Sequence, residues 1–325
     1  MEWIRPGTKI DFIRFMPYTA IMSGLLVIGS WMSIWWPGIQ WGIDFAGGTE
    51  IHLRLDPKVH IDQLRQAVDE LKLGGTQVQA FEGGGLGGTT NEYLIRVAAP
   101  TGESASAGAE QASHNSELVA KKLGDKFGAA AFEVLENNYV GPRVGKDLRM
   151  KGIYAMVYTM IGLLIYIAFR YEFRYALGAI FSLFHDGSIV LGALIVSRRE
   201  FDLSSIAAIM TILGYSINDT IVIFDRIREG SKRMRRLPFR EMMNTALNET
   251  LSRTLLTSLT VFFTVFCLWA LGGGVIRDFS FAMMVGVVFG TFSSIYIATA
   301  FVVLLEMTRA KQRTATPLKP DGKMP

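Results

Sequence analysis

Long runs of apolar residues dominate the hydrophobic pattern of this chain. A helix needs about 20 predominantly apolar residues to cross a bilayer core roughly 30 Å thick, and six runs reach or approach that length. They predict six transmembrane helices, over residues 18–36, 152–169, 175–196, 203–224, 255–271 and 279–305. We therefore predict a polytopic α-helical membrane protein.

The polar segment between the first two runs is long enough to form a small domain. Apolar and polar residues alternate in parts of it, which predicts strands, and apolar residues recur at helical spacing in others. The predicted strands cover residues 49–55, 77–81, 93–98 and 132–139, and the predicted helices cover 61–71 and 116–127. The order β-α-β-β-α-β is typical of an α+β ferredoxin-like domain, which we assign to residues 37–150, between transmembrane helices 1 and 2.

Two stretches of that domain are rich in small residues and predict flexible loops. One is the glycine-rich stretch 83–90, and the other is the Ser/Ala/Gly-rich stretch 101–113. A dinucleotide-binding glycine loop follows a strand and opens a helix, whereas strand patterns lie on both sides of residues 83–90. A hairpin connection is therefore favoured over a nucleotide site.

Lysine and arginine are distributed unevenly among the loops, and this asymmetry predicts the orientation. The basic N-terminus, the loop between helices 2 and 3, the loop 225–253 and the tail 306–325 all fall on one side. Because cytoplasmic loops carry such an excess, both termini are predicted to be cytoplasmic and residues 37–150 extracytoplasmic. Residues 1–36 then form the N-terminus with helix 1, and residues 151–305 contain helices 2–6.

The loop 225–253 contains a dense basic stretch at residues 226–240. Topology alone accounts for it, and so does contact with anionic lipids or a cytosolic partner. The basic N-terminus followed by an apolar run also has features of a secretory signal peptide. Residues 18–36 are long for that role and end in Trp-Trp-Pro instead of a small-residue cleavage site, which favours a retained helix.

Composition argues against several functional classes. Half of the 325 residues are hydrophobic and the formal net charge is only +4, so we expect no nucleic-acid partner. The single cysteine, Cys267, cannot form an intrachain disulfide, and no Cys/His cluster suggests a zinc site. The sequence has no nucleophile-elbow, metalloprotease or P-loop motif. We predict neither an enzyme nor a bound cofactor or metal.

One acid lies inside an apolar run. Asp219 is five residues before the end of predicted helix 4, about 7 Å deep by helix rise. A charged Asp near the middle of a membrane helix costs roughly 2.5–3.5 kcal/mol, so it must face the bundle, find a partner or hold a proton. The candidate partners are Arg253, before helix 5, and Arg226, on the same helix. A packing ion pair and a proton-responsive carboxylate both remain open.

Polar residues surround Asp219. Ser216 and Tyr215 lie three and four residues earlier, on the same helical face, and Asn218 and Thr220 flank the acid. This is the most polar patch in any predicted span. Because intramembrane acids are functional candidates by default, we interpret the patch as part of a proton pathway.

Predicted helix 3 contains a second ionisable pair, His185–Asp186, near its middle. Such a pair is able to bind metal or relay a proton, and a hydrogen-bonded polar pair on a packed face is the simpler interpretation. Small residues around it favour close helix packing. The candidate proton pathway comprises His185, Asp186, Ser216, Asn218, Asp219, Thr220 and Arg253.

Five motifs resemble those of a known family. Residues 42–49 (GIDFAGGT) and 140–148 (VGPRVGKDL) resemble motifs of the SecD/SecF family of protein-export membrane proteins. Residues 184–186, 214–229 and 247–254 resemble the SecF branch of that family. The resemblance spans about residues 44–305 in the right order, and the motif GYSINDTIVIFDRIRE is highly specific.

The resemblance implies a place in the resistance-nodulation-division superfamily and in the bacterial inner membrane. It implies work with SecD at the SecYEG channel, where proton flow helps to pull exported unfolded polypeptides outward after SecA drives them in. YajC and YidC are further partners that it suggests. In that family, an acid and an arginine of these motifs lie in the proton path, and they match Asp219 and Arg253 here.

Other functions compete with this one. Small-molecule exporters of the same superfamily usually carry a second large outer domain and twice as many spans in one chain, which counts against that class. A membrane-bound enzyme lacks support because no nucleophile–base or metal-ligand spacing is present. A passive translocon scaffold would need neither Asp219 nor Arg253. The resemblance covers no SecD half, so it implies either a separate SecF subunit or a piece of a fused SecDF. The outer domain also departs from the common pattern, since its two loops are longer than usual.

Overall fold

The computed structural model describes residues 8–71, 73, 76–81, 91–98, 105–234, 236–272 and 274–306. Within these residues, six helices are long and apolar enough to cross a membrane. The prediction of a multi-pass helical membrane protein is confirmed. The predicted loop 83–90 and the predicted tail after residue 306 lie outside the described residues.

The first helix leads into a small α+β unit, here called the inter-span domain (residues 37–141). Together with the first helix, its elements are α1 (Phe12–Met32), a π-helical turn (Ile34–Gly38), β1 (Gln40–Trp41), α2 (Ile43–Ala46), β2 (Gly48–Leu55), α3 (Ile61–Asp69), β3 (Gln77–Phe81), β4 (Glu92–Ala98), α4 (Ala105–Phe127) and β5 (Phe132–Val140). From β2 to β5 the elements follow the predicted order, and the short elements β1 and α2, which were not predicted, precede them.

Five long helices follow the inter-span domain. They are α5 (Pro142–Arg170), α6 (Phe173–Val196), α7 (Leu203–Arg233), α8 (Phe239–Leu271) and α9 (Gly274–Ser293), with the two-residue strand β6 (Glu200–Phe201) before α7 and a π-helical turn (Ser294–Ala298) after α9. The sixth candidate span as a whole covers Val275–Glu306. Because α5 begins at Pro142, residues 142–150 are the first turns of this helix.

The apolar runs mark only part of each helix. α1 ends at Met32, before the predicted limit at residue 36, because the chain turns π-helical there. α7 and α8 extend beyond the apolar runs on one side of the bundle. Ion pairs accompany these extensions: Arg226 Nη1 lies 2.6 Å from Glu229 Oε2, and Arg226 Nε lies 2.6 Å from Glu249 Oε2. These polar turns are helical although their sequence has no apolar run, so the runs did not mark them.

The six spans form an inner and an outer group. Within an apolar 18-residue stretch of each span, 61%, 56% and 56% of the residues are buried in the spans of α6, α7 and α9, against 22%, 11% and 17% in those of α1, α5 and α8. Small residues permit the close packing of the inner group. A Cβ on Gly178 would lie 3.0 Å from the Ala298 carbonyl oxygen, and one on Gly290 would lie 3.2 Å from Ser216 Cβ.

The inter-span domain is built on a four-stranded antiparallel sheet with the order β3-β4-β2-β5. Alternate residues of β2 and β4, including Ile51, Leu53 and Ile95, are fully buried. They form one core with Leu64 of α3 and Leu123 of α4. The alternation of strand residues therefore marks the face that the two helices cover.

In the stretch 101–113, which we predicted to be a flexible loop, residues 101–104 lie outside the described residues and residues 105–113 are helical. α4 begins at Ala105 and continues to Phe127. The prediction was wrong from residue 105 onward. The reason is composition, because alanine has the highest helix propensity and lengthens α4 where no apolar periodicity indicates a helix.

Two of the quoted motifs, residues 42–49 and 140–148, pack against each other where the domain joins the spans. Gly47 has φ +76°, and a Cβ there would lie 2.8 Å from Pro142 Cα. A Cβ on Gly145 would lie 3.0 Å from the Phe45 carbonyl oxygen. Only glycine permits both the positive φ and this backbone approach at position 47. The motifs therefore form the junction between the domain and α5.

A second junction links the domain side of the molecule to α7. β1 pairs in parallel with β6, with Gln40 opposite Glu200 and Trp41 opposite Phe201. Gly42 N donates to the Phe201 carbonyl oxygen at 3.0 Å. The segment after α1 is thus hydrogen-bonded to the loop that precedes α7.

Candidate functional site

Asp219 lies in the middle of α7 and is buried, with 3% of its surface exposed. The helical rotation of α7 turns it toward α8, where Ser258 Oγ lies 3.3 Å from Asp219 Oδ2. Ser258 is itself 7% exposed. The intramembrane acid therefore faces the bundle, as an acid in an apolar run must.

A hydroxyl cluster surrounds Ser258. Tyr215 Oη lies 3.0 Å from Ser258 Oγ, and Thr291 Oγ1 of α9 lies 2.6 Å from it. Ser258 Oγ is also 2.8 Å from the Thr254 carbonyl oxygen. A hydroxyl has one proton to donate, so Ser258 can donate to the Asp219 carboxylate or to the carbonyl, but not to both. The cluster can therefore adapt to a charged or a neutral Asp219.

Arg253 does not contact Asp219 in this structure. No ion pair within 4.0 Å joins the two described side chains, and Arg253 is exposed on α8. Its positive charge still lies within electrostatic range of the carboxylate. The predicted direct pairing is absent here, and the group that contacts Asp219 instead is Ser258. Arg226, the other candidate, pairs with Glu229 and Glu249.

His185 and Asp186 form the centre of a second buried cluster, on α6. His185 Nδ1 lies 3.0 Å from Asp186 Oδ1, and His185 Nε2 lies 2.9 Å from Ser23 Oγ of α1. Ser216 of α7 and Ser293 of α9 donate to Asp186 Oδ2 at 2.6 Å and 2.8 Å. Asp186 is fully buried, and its cluster joins four helices.

Ser216 brings the two clusters together on α7. It lies one turn before Asp219, so the same helix contacts Asp186 through one residue and Ser258 through another. Thr220 Oγ1 lies 2.8 Å from Ser294 Oγ, and Ser294 Oγ donates to the Ser216 carbonyl oxygen at 3.2 Å. Ser294 begins the π-helical turn after α9, a feature that often marks functional sites.

Among the described contacts Asn218 has none with either cluster, and its side chain is exposed on α7. Successive residues of a helix are rotated by about 100°, so a neighbour of Asp219 in sequence points elsewhere. Of the seven predicted site residues, the structure brings together His185, Asp186, Ser216, Asp219 and Thr220. It leaves Asn218 and Arg253 outside.

Several residues of the clusters were missed from the sequence. They are Ser23, Ser258, Thr291, Ser293 and Ser294. The stretch Thr-Phe-Ser-Ser at residues 291–294 is a polar interruption of an apolar span and was a usable signal. Ser23 and Ser258 carry no such signal, because single serines occur throughout the spans.

The arrangement can hold and exchange protons. Among the described residues, no group of three or more His, Cys, Asp or Glu side chains is placed to bind a metal ion. Two buried carboxylates, one imidazole and eight hydroxyls (Ser23, Tyr215, Ser216, Thr220, Ser258, Thr291, Ser293 and Ser294) lie in the contacts described above. All of them are hydrogen-bond donors or acceptors.

Comparison with known proteins identifies the family. Residues 119–308 match the family model "Protein export membrane protein SecD/SecF, C-terminal", and residues 37–59 match the "SecD/SecF GG Motif". The second match contains Gly47 and the rest of residues 42–49, one side of the junction described above. The first contains α5 to α9 and the residues of both polar clusters except Ser23.

Relatives named "Protein translocase subunit SecF" are similar over nearly the whole chain. The protein of Calditerrivibrio nitroreducens is 39% identical over 96% of this chain and 99% of its own length. That of Magnetococcus marinus is 44% identical over 94% and 95%, and that of Escherichia coli O157:H7 is 36% identical over 95% and 92%.

Solved structures agree with this assignment. The crystal structure of SecDF from Thermus thermophilus, described as a translocon-associated membrane protein, superposes with a TM-score of 0.78 at 33% identity. The match covers 93% of this chain and 39% of the SecDF chain, so the chain spans well under half of that protein. With the motifs, the fold and the relatives in agreement, the chain belongs to the SecF family of protein translocase subunits.

Proposed function

We propose that this chain works with SecD at the SecYEG channel and uses the proton motive force to promote the late stage of translocation of exported unfolded polypeptides. The observation that carries the proposal is Asp219. It is a buried carboxylate in the middle of a membrane helix, and its only described direct side-chain partners are hydroxyl groups, with no ion pair within 4.0 Å. Such a group can alternate between charged and neutral forms.

Alternation of Asp219 is what a proton-driven step requires. The membrane potential supplies about 2.3 kcal/mol per elementary charge per 100 mV. The charged form accepts the hydrogen bond of Ser258, and the neutral form releases it to the Thr254 carbonyl oxygen, 2.8 Å away. Since Ser258 also contacts Tyr215 and Thr291, a change at Asp219 reaches α7, α8 and α9 together.

Arg253 acts in this proposal as a counter-charge that approaches Asp219 in another state of the cycle. Arg253 is exposed and lies within electrostatic range of the acid, and its charge is at the end of a long flexible side chain. The His185–Asp186 cluster extends the pathway toward α1 through Ser23. It also ties α6 and α9 to α7, so that these helices move as one body.

The orientation that we propose places both termini in the cytoplasm of a bacterial cell, with the chain in the inner membrane. The basic side chains of the loop 225–253 support it. Arg226 and Arg233 are paired with Glu249, whereas Arg228 and Lys232 are exposed and are available to anionic lipids. Family resemblance alone adds YajC and YidC as further partners in this proposal.

We propose that the inter-span domain is an extracytoplasmic ferredoxin-like domain that handles the substrate and performs no chemistry. The order β-α-β-β-α-β and the sheet order β3-β4-β2-β5 support the fold assignment. The long edge strand β5 has mostly exposed side chains, and exposed strand edges are able to bind extended peptides. The alternatives are a small-molecule exporter and a non-conducting scaffold.

The test compares Asp219→Asn with Asp225→Asn in membranes that contain the complete translocase. Asp225 is an acid on the same helix whose side chain is 50% exposed, 3.9 Å from Arg170. We expect Asp219→Asn to assemble with SecD and to lose the potential-dependent part of export, and Asp225→Asn to keep it. Asp219→Glu should keep part of the activity. Normal potential-dependent export per assembled complex in Asp219→Asn would refute the proton role of Asp219. The non-conducting scaffold would then be the favoured function.

A further inference from the structure

One ion-paired arginine connects the inter-span domain to the start of α7. Arg96 lies on β4, in the sheet of the domain, and its Nη1 pairs with Oε1 of Glu200. Glu200 belongs to β6, immediately before α7 begins at Leu203. The sheet of the domain therefore contacts, through the Arg96 side chain, the strand that precedes the helix carrying Asp219.

Arg96 is shared between two carboxylates. Its Nε lies 2.7 Å from Glu50 Oε2 on the neighbouring strand β2. The three side chains are 18%, 19% and 13% exposed, for Arg96, Glu50 and Glu200. Such shielding makes an ion pair stronger than one in open solvent. The planar guanidinium can serve two carboxylates at once, so Glu50 holds Arg96 in the sheet while Glu200 is bound by its other end.

Backbone contacts make the same loop stiff. Leu203 N, the first helical residue of α7, donates to Asp44 Oδ2 at 3.1 Å. Asp202 caps the helix by accepting from Ser205 N at 2.8 Å, and β6 pairs with β1. Because these contacts hold the loop, a movement of the first turn of α7 would also displace Glu200.

We propose that the Glu50–Arg96–Glu200 bridge transmits the movement of α7 to the inter-span domain, with Arg96 and Glu200 as positioning residues for export. α7 is continuous over 31 residues, and Asp219 lies about 24 Å from its first residue by helix rise. The covalent connections of the domain lead into α1 and α5, and neither passes through α7. This inference rests on the proposed role of Asp219.

The experiment uses Glu200→Gln in the complete translocase, reconstituted in vesicles. This variant removes the Arg96–Glu200 ion pair and keeps both the Arg96–Glu50 pair and the side-chain size. Glu133→Gln is the matched control, because it removes an ion pair of the same domain, Glu133 with Arg54 at 3.5 Å, that does not touch the spans. Two quantities are measured per assembled complex: potential-dependent export of a precursor protein, and proton movement reported by a pH-sensitive dye.

We expect Glu200→Gln to reduce potential-dependent export about fivefold or more, the lower end of the coupling between distant sites, and to keep the proton signal. Glu133→Gln should keep both. Equal loss in the two variants, loss of the proton signal in Glu200→Gln, or full export by Glu200→Gln would each overturn the inference.

If Glu200→Gln fails to assemble, Arg96→Lys decides instead. Its single ammonium cannot hold both carboxylates as the fork does, so export should fall while the proton signal persists, and undiminished export would refute the bridge. A proton signal that survives Asp219→Asn would instead refute the proposed function.

Discussion

Replacement of Asp186 by alanine should destabilise the bundle far more than a change at Asp219. Asp186 is fully buried and is contacted by three groups, Ser216 Oγ at 2.6 Å, Ser293 Oγ at 2.8 Å and His185 Nδ1 at 3.0 Å. Alanine removes the acceptor of all three. Because the site is closed to solvent, water does not replace it.

The size of the effect follows from these contacts. Ser293 Oγ has an alternative acceptor, the Gly290 carbonyl oxygen at 3.1 Å. The contacts described for Ser216 Oγ and for His185 Nδ1 include no second acceptor for either group. A buried donor left unsatisfied costs about 1–3 kcal/mol, so two of them predict a loss of about 2–6 kcal/mol. Asp186→Asn keeps one acceptor oxygen and should lose about 1–3 kcal/mol.

Asp219→Asn serves as the comparison within the same chain. Its contact with Ser258 is long at 3.3 Å, and Ser258 has the Thr254 carbonyl oxygen as an alternative acceptor. We expect a loss below about 1 kcal/mol. The free energy of unfolding of the purified chains, measured by denaturant titration in mixed micelles, gives the difference. If Asp186→Ala unfolds within about 0.5 kcal/mol of Asp219→Asn, the argument from unsatisfied donors is refuted.

Four further outcomes are expected. Arg253→Lys should retain part of the potential-dependent export and Arg253→Met none, since only the lysine keeps the charge; normal export by the methionine variant would exclude the arginine. Gly47→Ala should destabilise the junction with α5 by about 1–3 kcal/mol, because it forces a positive φ on a side chain, and a thermal melt of the purified chain measures this. Lysine neighbours on α4 hold the pKa of Glu70 below its ordinary 4.5. The charge of Glu70 therefore contributes to stability above pH 4.5, and this contribution is lost as the pH falls through the lowered pKa. Glu70→Gln should flatten the acid limb of the plot of stability against pH. Reporters fused after Leu73 should read outside and those after Met234 inside, and an inside signal after the former would reverse the topology.

The sequence by itself determined the six spans, because a bilayer imposes a minimum apolar length that few soluble segments satisfy. It also determined the order of elements in the inter-span domain, since each strand or helix has its own periodicity. It did not determine where α7 and α8 end, because their polar extensions are held by ion pairs such as Arg226 with Glu249. Nor did it reveal the helical stretch from Ala105, where no apolar face marks the turns.

The same division holds at the site. The sequence determined that Asp219 must be shielded, because a charge in an apolar run is costly wherever the helix packs. It could not decide that Ser258 and Thr291 would provide the contacts and that Arg253 would not, nor that Asn218 faces away. Those contacts depend on the rotation of each helix and on how closely it approaches its neighbours, down to the absent Cβ of Gly290 beside Ser216. Rotation and approach are set by the packing of all six helices together, and a local pattern in one helix does not contain them.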